Sequence, residues 1–214
     1  MSKINNYLQT LKNKGFIPNK ILDIGANVGE FSELCKNVWK DSILYMVEAN
    51  KNCEIYLKNT GNLYFIEVLS DVDDKEVDFF LTKENDICTG NSLYLEKTKH
   101  YSIENLIIEK RITKTVDSLF KLDEFDLIKL DTQGSELDIL KGSKNILEKA
   151  KYVIIETSLK EYNEGAPLED EIIKNMKENN FLNYEVIENH VWPLEDGIFK
   201  KGEIFQRDLI FYKK

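Results

Sequence analysis

Asp23-Ile24-Gly25-Ala26-Asn27-Val28-Gly29 ends a short apolar run with an acid and a turn punctuated by glycines. The glycines allow a tight turn and let the backbone approach a ligand with no Cβ in the way. A helix-like pattern over 28–38 follows, and the first N–H groups of such a helix lack internal partners and suit an anionic group such as a carboxylate. Glu48 closes the next apolar run, 43–47. An acid before the turn and a second acid at the neighbouring strand end fit a ligand with an amino-acid part and a ribose, of which S-adenosylmethionine (SAM) is one. The spacing Gly25-x-x-x-Gly29 is not the G-x-G-x-x-G of dinucleotide enzymes, and no G-x-x-x-x-G-K-[ST] is present to cradle a triphosphate.

These residues need a scaffold, and the chain alternates strand-like and helix-like segments, which predicts a parallel sheet covered on both faces. Strands are expected at 20–24, 43–47, 63–68, 125–130 and 152–155. Helices are expected at 28–38, 52–58, from Leu137 with an interruption near Gly142, and at 168–179. Two β-prone segments, 76–81 and 108–116, flank a polar stretch of poor periodicity, 82–104, which predicts a mobile functional loop. Two last segments, 184–187 and 208–212, predict an antiparallel edge. Residues 1–19 read as a weakly amphipathic flank with Ile4, Tyr7, Leu8 and Leu11 on one face. The expected organisation is one domain over 1–214, with 72–116 as inserted strands and loop. In such sheets ligands bind beyond the carboxyl ends of the strands. There the sequence puts Asp23 and Asn27, then Glu48 and Asn50, then Ser70, then Asp131 and Gln133, then Glu156 and Ser158. Each has a structural explanation alone; their convergence on one edge is the functional signal. Asp71 to Asp74 reads as a solvated turn.

Of the 214 residues 42 % are apolar and 31 % charged, the profile of an ordinary globular chain. The net charge of −9, with no basic stripe, disfavours a nucleic-acid partner. The three cysteines (Cys35, Cys53, Cys88) show no C-x-x-C spacing and only two histidines are present, so a structural zinc site is not expected and reduced thiols are. No window is apolar enough to span a bilayer, and the N-terminus lacks the apolar core of a signal peptide, so a cytoplasmic protein is expected.

Taken as motifs, ILDIGANVGEF, Glu48 and DLIKLDTQGSELDILKG resemble the FkbM family of SAM-dependent methyltransferases, and VIIETS, YNEGAPL and the terminal QRDLIFY continue the resemblance. It runs from about Ile21 to Tyr212. DIGANVG alone fits the wider superfamily; KLDTQGSE is the specific part. The resemblance implies an α/β fold, a Rossmann-like seven-stranded class I methyltransferase sheet with an inserted β-hairpin and loop and an antiparallel C-terminal edge. It also implies methyl transfer from SAM to a hydroxyl of a sugar, a glycan or a related natural product. Carried over by residue, Asp23, Gly25, Asn27 and Gly29 surround the methionine part, Glu48 holds the ribose, and Leu69 and Ser70 border the adenine. Asp131 stands at the cofactor edge, with Asn91, Ser92 and Gln133 on the acceptor side. The segment TGNSLY carries fewer serines than the family pattern.

An alcohol loses its proton as the new C–O bond forms, so a general base is expected. Asp131 is the first choice by position, Glu156 the second, and His190 and His100 are alternatives. Asp131, Glu156 and Gln133 are also hard ligands of the kind Mg²⁺ takes, but carboxylates at strand ends are read here as bases, with no metal expected. Trp192 and Tyr94 are the aromatic candidates for a sugar face, with core or rim packing the simpler reading. The expected partner is a small-molecule or glycan acceptor, and a homo-oligomer is compatible with the sequence. Two rivals remain open: RNA or protein methylation on the same fold, and a non-catalytic SAM-binding module.

Overall fold

The apolar run before the glycine turn becomes β1 (Lys20–Ile24), the third strand of a seven-stranded sheet in a computed structural model that describes residues 3–83, 86–193 and 198–213. The parts of the predicted flank and of the two long loops that fall on residues 1–2, 84–85 and 194–197 lie outside the described residues. β1 pairs in parallel with β2 (Ile43–Glu48) on one side and with β7 (Leu127–Leu130) on the other. With β3 (Leu63–Ile66), β8 (Tyr152–Ser158), β9 (Asn183–Val191) and β10 (Ile204–Tyr212) the order is β3-β2-β1-β7-β8-β10-β9. Only β10 runs against its neighbours. This is the Rossmann-like sheet with an antiparallel C-terminal edge that the sequence implies. The order reverses between β1 and β7, and the crevice at that point is where such sheets bind ligands.

Strands buried on both faces explain the near-continuous apolar runs. Alternation sends Leu22, Ile24, Ile128, Leu130, Val153 and Ile155 to one face. There they pack on α5 (Glu136–Lys141), α6 (Lys144–Lys149) and α7 (Glu169–Glu178) through Leu140, Leu147 and Met176. Ile21, Leu127, Ile154 and Ile210 face the other way, onto α1 (Lys3–Asn13) and α2 (Glu30–Val38). The predicted apolar stripe of the N-terminal flank is real: Leu8 and Leu11 are buried and Ile4 and Tyr7 pack beside them. No helix among the described residues is long and apolar enough to cross a membrane.

Several boundaries differ from the sequence reading, for local reasons. The strand expected over 63–68 splits, because after Glu67 the chain leaves the main sheet. Val68–Leu69 (β4) pairs instead with Leu106–Lys114 (β6), which also pairs with Glu76–Thr82 (β5). An apolar run carries no mark of a change of sheet. β6 stops at Lys114 because Thr115 turns outward and its hydroxyl accepts from Ser118 N (3.1 Å), capping the short α4 (Val116–Leu119). α2 starts at Glu30, since Gly29 is left-handed (φ 92°). Glu156 and Ser158, expected just beyond a strand, are part of β8, and this puts Glu156 in register with Asp208 of β10.

Candidate active site

Glu48 ends β2 with its carboxylate turned back over the glycine loop. Oε2 accepts from Asn27 N (2.8 Å) and Oε1 from Asn50 N (2.7 Å). Burial pushes its pKa up, against the backbone N–H groups that favour the charged form. Asn27 takes the left-handed conformation (φ 48°) needed to present that N–H. Gly25 and Ala26 both donate to the Val47 carbonyl, so the loop is sewn to β2 before any ligand arrives. Beside it opens a cleft lined by Gly25, Asn27, Glu48, Leu69, Asn91 and Asp131 among others. Val47, Leu69, Phe79 and Ile139 give it an apolar side.

Of the residues predicted to bind the cofactor, Gly25, Asn27, Glu48, Leu69 and Asp131 meet at this cleft, while Asp23, Gly29 and Ser70 do not line it. Asp23 is buried under α2. Its Oδ2 accepts from Ser32 (2.8 Å) and its Oδ1 has no partner. Burial raises its pKa and the Lys129 ammonium opposes that. Gly29 is the residue before α2, where a Cβ would stand 3.1 Å from Thr60 Cγ2. Ser70 lies one residue beyond the cleft wall, with its carbonyl packed on Gly142. Gly25 has a reason the sequence did not show. With φ +77°, its Cβ would sit 1.8 Å from the Asp131 carbonyl oxygen, so the glycine lets β1 and β7 close on each other. Gly25→Ala should therefore lose stability as well as affinity, by about 2 kcal/mol or more from strain and overpacking. Urea unfolding reads it, and a wild-type midpoint would contradict it.

The block after β7 is a turn built around one buried carboxylate. Glu136 accepts from Thr132 N (2.7 Å) and Oγ1 (3.0 Å), and from Gly134 N (2.9 Å). Gln133 sits at φ 56° between them, and its Nε2 donates to Asp131 Oδ1 (2.9 Å) and to Glu156 Oε2 (2.6 Å). Ser92, predicted on the acceptor side, is buried and clamps this turn; its Oγ lies 2.9 and 2.8 Å from the carbonyl oxygens of Thr132 and Gln133. Asn91 lines the cleft. Its Oδ1 accepts from Tyr101 OH (2.9 Å) and Thr82 N (3.2 Å), which leaves Nδ2 a buried donor with no partner.

From Asp131 a polar network runs along the strand ends. Lys129 Nζ lies 2.7 Å from Asp131 Oδ2. Burial disfavours both ions, yet each holds the other charged: Asp131 lies below the usual carboxylate range and Lys129 above the usual ammonium range. Glu156 accepts from Gln133 and from Gln206 Nε2 (2.9 Å) on one oxygen. Burial, then Asp131 and Asp208, push its pKa well up. His190 Nε2 lies 3.0 Å from Asp208 Oδ2, and that hydrogen bond raises its pKa against the opposing effect of burial. The three catalytic candidates Asp131, Glu156 and His190 thus belong to one cluster. Ligand atoms of Glu156, His190 and Asp208 lie within 4.8 Å of one another, a spacing that a divalent cation could also use. His100, the other alternative, is exposed on a short 3₁₀ turn. Trp192 is buried among Tyr162, Phe199 and Phe205, with centroids at 5.6, 5.2 and 5.1 Å. Tyr94 donates to Asp138 Oδ2 (2.7 Å). Sequence reading assigned no role to Lys129, Glu136, Gln206 or Asp208. The signal was there for two of them: Lys129 and Asp208 are charges set against apolar strand residues, in LIKL and DLIFY.

The segment expected to be a mobile functional loop divides in two. Its later part is anchored: Ser92 pairs with Phe80, Glu96 with Asn163, and Ser92, Glu96, Thr98 and Tyr101 are buried. Its earlier part rests on the cofactor cleft, where Asn50 Nδ2 and Asn27 Nδ2 donate to the Asp86 and Ile87 carbonyls. Cys88 there lines the cleft. Added SAM is expected to slow amide exchange over residues 86–90 and leave 92–101 unchanged. Slow exchange throughout both parts in the ligand-free protein would overturn this.

Residues 23–182 match the family model of the methyltransferase FkbM domain. No curated protein matches the chain by sequence. Among solved structures it is similar to precorrin-6y C5,15-methyltransferase from Geobacter metallireducens GS-15, at 10 % identity over 99 % of this chain and 89 % of that one, TM-score 0.50. A SAM-dependent methyltransferase from Clostridium acetobutylicum ATCC 824 gives 12 % identity over 99 % and 92 %, TM-score 0.50. The N-terminal domain of EvdMO1, solved in the presence of SAH and D-fucose, gives 7 % identity over 100 % and 84 %, TM-score 0.52. At such identities the likeness is one of fold.

Proposed function

The chain belongs to the methyltransferase FkbM domain family and is a SAM-dependent methyltransferase, and from that premise we propose that its acceptor is a hydroxyl of a sugar or a similarly polyhydroxylated small molecule. The cleft fits SAM on its own terms. Each Glu48 oxygen accepts one backbone N–H and keeps a lone pair for a ribose hydroxyl. The apolar side suits a purine, and the unpartnered Asn91 Nδ2 suits a ring nitrogen or another ligand acceptor. When bound, SAM supplies an activated methyl group. The protein's task is then alignment of oxygen, carbon and sulfur, and removal of one proton.

The observation that carries the proposal is the position of Asp131, which lines the cofactor cleft and also opens the polar network of Gln133, Glu156, Gln206, Asp208 and His190. A hydroxyl held in that network lies beside the cofactor. Carboxylates and amides in a row accept and donate as a polyol requires. The net charge of −9 argues against an RNA acceptor. Calorimetry with SAM and SAH, then transfer from methyl-labelled SAM to a panel of glycosides, RNA and protein, tests the proposal. An alkali-stable label on a sugar oxygen is expected. Label on RNA or protein alone, or no SAM binding, overturns it.

A further inference from the structure

Across the C-terminal strands the pairing sets acids side by side. Asp208 of β10 is directly opposite Glu156 of β8 and Glu188 of β9. Asp131 follows Leu130, whose partner is Ile155, and so stands next in the same row. Like charges directly opposite on a sheet are destabilising, so this row is not explained by stability. Its compensation is uneven. Lys129 serves Asp131 and Lys3 serves Glu188, at 3.6 Å. Asp208, which is buried, has His190. In β10 Gln206 is the direct partner of His190, so Asp208 reaches the imidazole diagonally from the next same-face position.

That geometry fixes what the ring can do. Nε2 is engaged with Asp208, and Nδ1 has no hydrogen-bond partner among the described residues, while the side chain is 34 % exposed. In the neutral form the carboxylate favours the proton on Nε2, leaving the Nδ1 lone pair free to accept. Asp131, by contrast, is held as an anion by an ammonium, which weakens it as a base. We propose that Asp208 is the positioning residue of a base dyad in which His190 takes the proton of the acceptor hydroxyl on Nδ1. As the C–O bond forms, the C–S bond breaks and its electron pair goes to sulfur. The hydroxyl proton passes to Nδ1, the imidazolium is stabilised by Asp208, and the proton leaves later to solvent. Groups facing the ring are Asp208, Glu188, Glu156 and Asp131. This assignment rests on the hydroxyl-methylation reading above.

With only two histidines, a His100→Gln background makes His190 the single imidazole signal in an NMR titration. Its midpoint is expected above the ordinary range, with the neutral tautomer protonated on Nε2, and Asp208→Asn should lower that midpoint. In activity, the acid limb of kcat/KM should follow the same shift. Asp208→Asn should cut kcat at least tenfold with KM for SAM unchanged, His190→Gln should cut it about 10²–10⁴-fold, and Asp208→Glu should recover part. An unshifted midpoint and acid limb in Asp208→Asn, or wild-type kcat in His190→Gln, would overturn the dyad. So would recovery of His190→Gln by Mg²⁺ or Mn²⁺. A wild-type enzyme that labels no hydroxyl fails the functional reading instead, and the NMR arm still reports whether the pair exists.

Discussion

Glu48→Gln is expected to weaken SAM binding by roughly 10²-fold with the fold retained. Hydrogen bonds to a charged group contribute about 1.5–3 kcal/mol each, and the ribose would lose one or two of them. The amide costs more than an acceptor, because its NH₂ must face either the Asn27 N–H or the Asn50 N–H, which now point at the two carboxylate oxygens. A buried N–H facing another donor is left unsatisfied, so the loop should loosen as well as lose its ribose contact. Glu48→Ala frees both N–H groups and should be worse. Calorimetry gives the affinity and circular dichroism the fold. Wild-type affinity in a folded Glu48→Gln protein would remove this residue from the cofactor site.

Much of the fold was legible because its strands are short, apolar and bounded by polar residues, and its helices carry a buried stripe. Lys20–Ile24 and the break between α5 and α6 at Gly142 follow directly from such patterns. β4 was not legible, since Val68 and Leu69 are as apolar as β3 and only the pairing partner changes. The same limit applied at the site. Convergence on one sheet edge brought Gly25, Asn27, Glu48 and Asp131 together at the cleft. What periodicity cannot supply is the neighbour across a strand pair. Asp208 meets His190 through a register of β9 against β10 with a shift beside it, and Glu136 meets Thr132 and Gly134 only once the turn has closed. Ser70 stands one residue beyond Leu69 and Gly29 two beyond Asn27, and neither lines the cleft, a distinction that spacing along the chain does not carry.

Asp131→Asn is expected to act on stability and on turnover, and the two can be separated. The change leaves Lys129, whose side chain is 10 % exposed, as a buried cation without its ion-pair partner at 2.7 Å. Breaking a buried pair costs about 3–5 kcal/mol; the 30 % exposure of the Asp131 side chain admits water and brings the expectation down to about 2 kcal/mol. The sign with pH is set by the lowered carboxylate pKa. The pair's contribution is present above the ordinary value of 3.8 and is lost as the pH falls through the lower folded value, so the variant should differ most from wild type at neutral pH and least in acid. Turnover should fall by about 10²-fold, since Asp131 also orients Gln133 and, through it, Glu156. Replacing the partner too, as Asp131→Asn with Lys129→Met, removes the stranded charge and should return most of the lost stability without returning turnover. Return of both would make the pair a purely structural element. A stable, fully active single variant would show that neither the ion pair nor the Gln133 contact matters to methyl transfer, and His190 with Asp208 would then carry the proton chemistry without help from β7.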